Sequence, residues 1–271
     1  MRRNVTWRGL GPTWSGWLRE DALAFLEMLT SFAGSGLFGR RYGTGTPSVL
    51  ALHGWRRDHR DFDGVFASGI DAVALDLPGF GSAPPPEAAW GSPEYAEAVA
   101  AVLDEMQARV LVLGHSFGGR VAVHLAATRP DRIGGLVLSG APLHRPPGAR
   151  TKPRLSFKVA RAMASRGLVK EEKIESLRRR YGSEDYRAAS GVMRDILVRT
   201  LAEDYSTVLA ELKCPVELVW GDNDTAAPLS TARWLEAELF DAHLAICPGA
   251  GHLTPLTVPG ELRAALERLR S

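Results

Sequence analysis

Val110-Leu111-Val112-Leu113-Gly114-His115-Ser116-Phe117-Gly118-Gly119 is the stretch whose reading decides the fold of this 271-residue chain. Its first four residues form a short apolar run that reads as a buried strand, and Phe117 to Thr128 after it reads as a helix. A G-x-S-x-G between a strand and a helix is the setting in which a serine sits on a sharp, strained turn, exposed at the top of a sheet. Such a turn needs small residues two before and two after the serine. Gly114 and Gly118 meet that need, and Gly119 extends the room.

A serine hydroxyl is a poor nucleophile near neutral pH and needs a base, for which histidine has the best-suited pKa. The chain has seven histidines. His252 lies in Gly249-Ala250-Gly251-His252, directly after the last strand-like run, and is therefore expected at the carboxyl edge of the sheet beside Ser116. His115 adjoins the serine, but neighbours on a tight turn point apart. His124, inside the following helix, reads as a packed or surface residue, and His59, His144 and His243 read as surface. A base also needs a carboxylate to fix its tautomer and stabilise the imidazolium. Trp220-Gly221-Asp222-Asn223-Asp224 supplies two at the same edge. An acyl transfer further needs donors for the oxyanion. The backbone N–H of Phe117 is one candidate, and that of Trp55, in His53-Gly54-Trp55 after the run Ser48 to Leu52, is the other.

Further from the elbow, the pattern repeats. Asp71 to Leu77, Arg109 to Leu113, Gly135 to Leu138, Pro215 to Trp220 and Ala242 to Cys247 are also short and apolar, as strands covered on both faces are. Helical patterns separate them, including one from about Ser92, read as its N-cap, to Met106, and others over Thr231 to Leu239 and Gly260 to Leu269. Strand and helix in alternation predict an α/β fold with a mostly parallel sheet and helices on both faces. Leu143 to Lys213 breaks the rhythm. It carries helical patterns at about Leu155 to Ala164, Glu171 to Tyr181 and Val192 to Leu201, and reads as a helical insertion between two strands. Residues 1–35, with Trp7, Trp14 and Trp17 before an amphipathic stripe, read as an extension packed on the core.

Taken together, these pieces resemble the α/β-hydrolase superfamily of capped, cofactor-free enzymes over about residues 36 to 271. The matching residues are His53-Gly54-Trp55, Asp76 to Ser82 with Gly79 and Gly81, Gly114 to Gly119, Gly221-x-x-Asp224 with Pro228, and Gly251-His252. The resemblance implies a core of 36–142 and 214–271 with a cap at 143–213. It also favours Asp224 over Asp222 as the acid of a Ser116–Asp224–His252 triad. With a serine nucleophile, the implied reaction is hydrolysis of an ester or related acyl bond of a small molecule, with no cofactor and no metal. A carbon–carbon bond hydrolase, a lyase of menaquinone synthesis to which Gly118-Gly119-Arg120 is similar, and a non-catalytic binding protein stay as alternatives.

Composition narrows the partners. A net charge of +2 and no long basic run argue against nucleic acid. No apolar run reaches the roughly 18 residues of a membrane span. Two cysteines, Cys214 and Cys247, give neither a disulfide framework nor a Cys-based zinc site, and with Asn4 to Gly16 too polar for a signal peptide a cytoplasmic setting is expected. Leu143 to Lys213 holds 16 Lys or Arg against 9 Asp or Glu, a surplus read mainly as solvated helix faces.

Overall fold

The computed structural model describes residues 30–32, 36–67, 69–144 and 184–270. Among the described residues, eight strands form one sheet in the order β1-β2-β4-β3-β5-β6-β7-β8. Their ranges are β1 Thr30–Phe32, β2 Leu37–Tyr42, β3 Val49–Leu52, β4 Ala72–Asp76, β5 Val110–His115, β6 Ile133–Ser139, β7 Val216–Gly221 and β8 Ala242–Cys247. β1, β2 and β4 pair antiparallel, and β4 through β8 pair parallel with β3 between β4 and β5. The chain is thus α/β and mostly parallel, and β3 to β8 fall on the six apolar runs within two residues at each end.

Those runs form strands because both of their faces find a core. Along β3 to β7, residue parity sorts side chains between two apolar clusters. Leu50, Leu52, Val73, Leu75, Val112, Leu136, Leu138 and Leu218 join one. Val49, Ala51, Ala72, Ala74, Leu111, Leu113, Val137 and Val219 join the other. The first cluster is closed by the helices Ser92–Ala100, Phe117–Thr128 and Leu229–Glu238, and the second by Pro259–Arg268 and Asp63–Phe66. Each fully buried Leu or Val contributes roughly 1.5–3 kcal/mol.

β1 and β2 were not visible as strands in the sequence. β2 alternates Leu37, Gly39 and Arg41 with Phe38, Arg40 and Tyr42, and its charges prevent it from reading as a buried run. Arg40 instead pairs with Asp63 (3.1 Å) and Arg41 with Glu105 (2.9 Å) at the sheet's edge. β1 lies inside the stretch read as an N-terminal extension; the tryptophans and stripe of that extension lie outside the described residues. The other edge strand, β8, has its Leu244 N–H donated to the Glu236 carboxylate at 3.1 Å.

A second correction concerns Ser92. The helix N-cap is Gly91, whose N–H is accepted by Glu94 at 2.9 Å, and the Ser92 hydroxyl donates to Glu203 at 2.6 Å. A half-buried carboxylate from the insertion, Glu203, takes the Ser92 hydroxyl in place of the local capping role. Of the insertion, Glu184–Ala188, Gly191–Ala202 and Ser206–Ala210 are helical, while the expected helices near 155–164 and 171–181 lie outside the described residues. Arg120 anchors the insertion's return to the core, donating to the Thr200 carbonyl and standing 3.5 Å from the Tyr205 hydroxyl. Tyr205 in turn donates to Glu203 at 2.5 Å.

Trp220, next to last in β7 and fully buried, donates its indole N–H to the Ala227 carbonyl at 2.7 Å. Trp220→Phe removes that donor and leaves both an unsatisfied carbonyl and a cavity. The expected loss is about 2–4 kcal/mol, read as a lower urea midpoint with an unchanged m-value.

Candidate active site

Ser116 has φ 51° and ψ −109° between β5 and the helix Phe117–Thr128. Only one other non-glycine described residue, Arg56, has a positive φ. The strain is held by close packing. A Cβ at Gly118 would run into the Leu52 carbonyl, one at Gly114 would lie 2.6 Å from the Gly119 Cα, and one at Gly119 would lie 2.5 Å from the Ala141 Cβ. Two hydrogen bonds fix the turn from either side: Ser116 N–H to the Ser139 carbonyl (2.8 Å) and Gly118 N–H to the His53 carbonyl (2.9 Å).

The order of the strands places the site. β4 lies on one side of β3 and β5 on the other, so the loops leaving β3 and β5 diverge, and a crevice opens outside their carboxyl ends. Ser116 and Phe117 stand on one wall of that crevice and Trp55 on the other. No acceptor for the N–H of Trp55 or Phe117 occurs among the described residues. The Phe117 N–H opens the elbow helix, whose N-terminal end favours negative charge. Gly54 to Arg57 forms a turn closed by Arg57 N–H to Gly54 O (3.2 Å), with Arg56 at φ 58°. The Arg57 guanidinium grips the buried Asp61 at 2.9 and 3.1 Å through Nε and holds the turn in place.

His252 follows β8 and reaches the serine. Its Nε2 lies 3.0 Å from Ser116 Oγ and its Nδ1 2.8 Å from Asp224 Oδ2. Asp224, with a fully buried carboxylate, also accepts through Oδ1 from the N–H groups of Ala226 (2.9 Å) and Ala227 (2.8 Å). Being acceptor-only when ionised, it fixes the hydrogen on Nδ1 and leaves Nε2 to accept from the serine. Asp222 is exposed and caps the turn through Gly249 N–H at 2.8 Å. It does not reach His252. Gly221 is needed because a Cβ there would strike the Ala250 carbonyl of the histidine loop.

Four residues escaped the sequence reading. Gly140, φ 55°, lies under the pair: a Cβ there would lie 3.0 Å from His252 Nδ1 and 3.2 Å from Asp224 Oδ2. Its signal was a glycine ending a strand at the same edge as the elbow. Thr254 bonds through its hydroxyl to Ser139, and nothing local marked it. His53 is buried, accepts at Nε2 from Leu77 N–H (2.9 Å), and therefore donates from Nδ1 to Gly54 O (2.7 Å). Desolvation lowers its pKa, which keeps it neutral. His59, read as a surface residue, is a correction as well. Its Nδ1 is 2.7 Å from the buried Asp76, which also accepts from Ser82 N–H (2.8 Å) and so closes the loop after β4. Of the other histidines, His144 stacks on Trp234 with ring centroids 3.8 Å apart, and His243 is an exposed partner of Glu217.

Asp58, His59 and Asp76 place possible metal-ligand atoms within 4.8 Å of one another. Each is already engaged, Asp58 by Arg60 (2.7 Å) and the other two by each other, so the cluster acts as a loop staple. Arg120, for all its closeness to the elbow in sequence, points to Thr200 and Tyr205 and not to the serine. Trp55, Phe80 and Phe117, the last adjoining the serine in sequence, pack on one another with ring centroids 4.9 to 6.0 Å apart. A separate cleft of about 900 Å³, lined by Ser48, Asp71, Arg109 and Arg270 among others, opens at the opposite edge of the sheet.

The sequence model described as the alpha/beta hydrolase family matches residues 49–265. The chain belongs to that family. The hydrolase is 30% identical over 241 residues to the 2-hydroxy-6-oxononadienedioate/2-hydroxy-6-oxononatrienedioate hydrolase of Cupriavidus pinatubonensis, covering 78% of this chain and 82% of that one. It is 26% identical over 250 residues to the pimeloyl-[acyl-carrier protein] methyl ester esterase of Aromatoleum aromaticum, covering 82% and 97%. Among solved structures, a thermophilic esterase from Thermogutta terrifontis matches with a TM-score of 0.63, 22% identity and coverage of 87% and 94%. A hydrolase from Pseudomonas aeruginosa matches with 0.67, 22%, 90% and 98%. The two structures speak to the fold alone. Among the described residues, no helix of this hydrolase is long and apolar enough to cross a membrane.

Gly140→Ala inserts a methyl group between the two loops that carry Asp224 and His252. Displacing them by a few tenths of an ångström is expected to lower kcat by about 10-fold or more while KM changes little, as read from steady-state kinetics on a p-nitrophenyl ester.

Proposed function

We propose that this hydrolase is a serine esterase that cleaves a small-molecule ester, or a related acyl bond, through an acyl-enzyme at Ser116. The observation that supports this best is the unbroken hydrogen-bond chain Asp224–His252–Ser116, with links of 2.8 and 3.0 Å. In the first half-reaction Ser116 Oγ attacks the carbonyl carbon while His252 Nε2 takes its proton. Asp224 holds the ring in the required tautomer and stabilises the imidazolium. The negative charge that develops on the carbonyl oxygen is met by the Trp55 and Phe117 N–H groups and by the N-terminal end of the elbow helix. His252 then protonates the leaving alcohol. In the second half-reaction water, deprotonated by the same ring, releases the acid.

The aromatic cluster of Trp55, Phe80 and Phe117 borders the loop and the elbow that carry the two candidate oxyanion donors, apolar surroundings that suit an uncharged acyl chain. In the described part of the insertion, Arg199 is bonded to the Ala89 carbonyl (2.6 Å) and to Glu94, and Arg194 to the Ala189 carbonyl (2.9 Å). These cations serve the fold, in keeping with a substrate selected by shape more than by charge. The insertion is proposed to act as a cap over the site. Arg56, next to Trp55, reaches Glu184 at 3.2 Å across that boundary, an exposed pair worth little by itself.

Ser116→Ala is expected to abolish labelling by a fluorophosphonate and hydrolysis of p-nitrophenyl esters while leaving the circular dichroism spectrum unchanged. Labelling that persists in this variant would move the nucleophile elsewhere, and an unlabelled wild type would favour a binding protein on the same fold. If the wild type is labelled but turns over a 2-hydroxy-6-oxononadienedioate, the substrate in the name of the Cupriavidus relative, and no ester, the esterase reading is overturned in favour of a carbon–carbon bond hydrolase on the same residues. Asp224→Asn should cost up to about 10⁴-fold in kcat by presenting the wrong tautomer, whereas Asp222→Asn should cost far less. The reverse ranking would reassign the acid.

A further inference from the structure

His115 adjoins the nucleophile but takes no part in the relay described above, and it is almost wholly buried, at 1% exposure. Its Nε2 lies 2.9 Å from the His252 main-chain carbonyl. A carbonyl only accepts, so Nε2 carries the hydrogen. Nδ1 is then a lone pair, and it has no hydrogen-bond partner. What it faces is Gly54, in the loop that leads to Trp55: a Cβ on Gly54 would lie 3.0 Å from Nδ1 and 3.2 Å from Cε1. One buried ring thus touches the loop after β3 on one side and the loop after β8 on the other, directly beneath Ser116.

The neighbouring contacts show what the ring does there. The His252 carbonyl accepts a second hydrogen bond, from Thr254 N–H at 3.0 Å, so its two lone pairs are shared between the loop's own turn and His115. His115 and Ser139 are register partners on β5 and β6. His115 holds the His252 carbonyl, and the Ser139 hydroxyl bonds that of Thr254. The base loop is therefore pinned at two points to adjacent strands of the sheet. Burial, and then the neighbouring His252 ring, push the His115 pKa down to about 4. The ring stays uncharged over the range in which a histidine base works. A cation there, with ring centroids 5.0 Å apart, would oppose the imidazolium that forms on His252.

We propose that His115 is a positioning residue, which, as the Nε2–H tautomer, ties the His252 main chain to β5 and spaces it from the Gly54–Trp55 loop across Ser116. The proposal rests on the esterase reading of Ser116 and His252. His115 touches neither substrate nor reacting atoms, and its effect is exerted through the placing of His252.

The experiment compares His115→Gln, which keeps an N–H donor at the position of Nε2, with His115→Phe, which keeps a planar ring and has no donor. Steady-state kinetics on a p-nitrophenyl ester and thermal melting are measured for both, with Ser116→Ala run in parallel. The Phe variant is expected to lose kcat by about 10- to 100-fold with KM nearly unchanged. The Gln variant should recover kcat to within about threefold of the wild type, because it keeps the donor to the His252 carbonyl and fills most of the space that the ring occupies beside Gly54. If the Phe variant keeps its kcat, or if Gln loses as much as Phe, His115 does not position the base and the proposal is overturned. Should the Phe variant fail to fold, the Gln variant decides alone by the same threefold criterion. Hydrolysis that survives in Ser116→Ala would instead overturn the esterase reading, an outcome recognisable apart from either His115 variant.

Discussion

The backbone of Ser116 is the constraint on which the rest of this structure depends. A non-glycine residue held at φ 51° carries a cost on the order of 1–3 kcal/mol and persists only when its surroundings over-determine it. Here they do so through glycines that no side chain could replace and through two main-chain hydrogen bonds, one to β6 and one to the loop after β3. The second is the more informative. Because Gly118 is bonded to His53, the loop that carries Trp55 cannot drift from the elbow without breaking the bond that stabilises the elbow. The strain that exposes the hydroxyl is therefore tied to the spacing of the two main-chain donors.

The same economy recurs around the carboxyl edge of the sheet. Loops there cannot be held by strand pairing, and each is held by a buried side chain that bonds the main chain. His53, in the loop after β3, accepts from Leu77 N–H just after β4, Asp76 accepts from His59 N–H in the first of these loops and from Ser82 N–H in the second, and Trp220 with Asp224 serves the loop after β7. Four of these residues are ionisable. Buried charge is tolerable only when each oxygen or nitrogen has a partner, and Asp76 and Asp224 have three partners apiece. The result is a set of rigid loops on which side chains can be placed to within a few tenths of an ångström.

What the sequence revealed followed from how local the signals were. Strands β3 to β8 were legible because burial on both faces leaves a continuous apolar run, and the elbow because its glycines, serine and flanking elements are contiguous. Asp224 and His252 were legible by their place after strands, since the fold brings all such loops to one edge. β1 and β2 were not, because their pairing depends on partners far along the chain and Arg40 and Arg41 disguise β2. Ser92 was misread for the same reason: its partner Glu203 is 111 residues away. Gly140, Thr254 and the buried roles of His53 and His59 are contacts between loops, and neither periodicity nor composition encodes those. The helices expected near 155–164 and 171–181 lie outside the described residues.

The Glu236 carboxylate that accepts from Leu244 N–H has a consequence beyond its own helix. β8 ends the sheet, and an outermost strand offers a row of unpaired main-chain donors and acceptors to any other extended chain. Phe240 just before it is fully exposed and Ile246 partly so, which makes this the stretch where a second molecule would most readily add a strand. A carboxylate seated on a donor in the middle of the row interrupts the template and sets a negative charge in the path of an incoming backbone. A single glutamate thereby makes this edge a poorer template for strand addition.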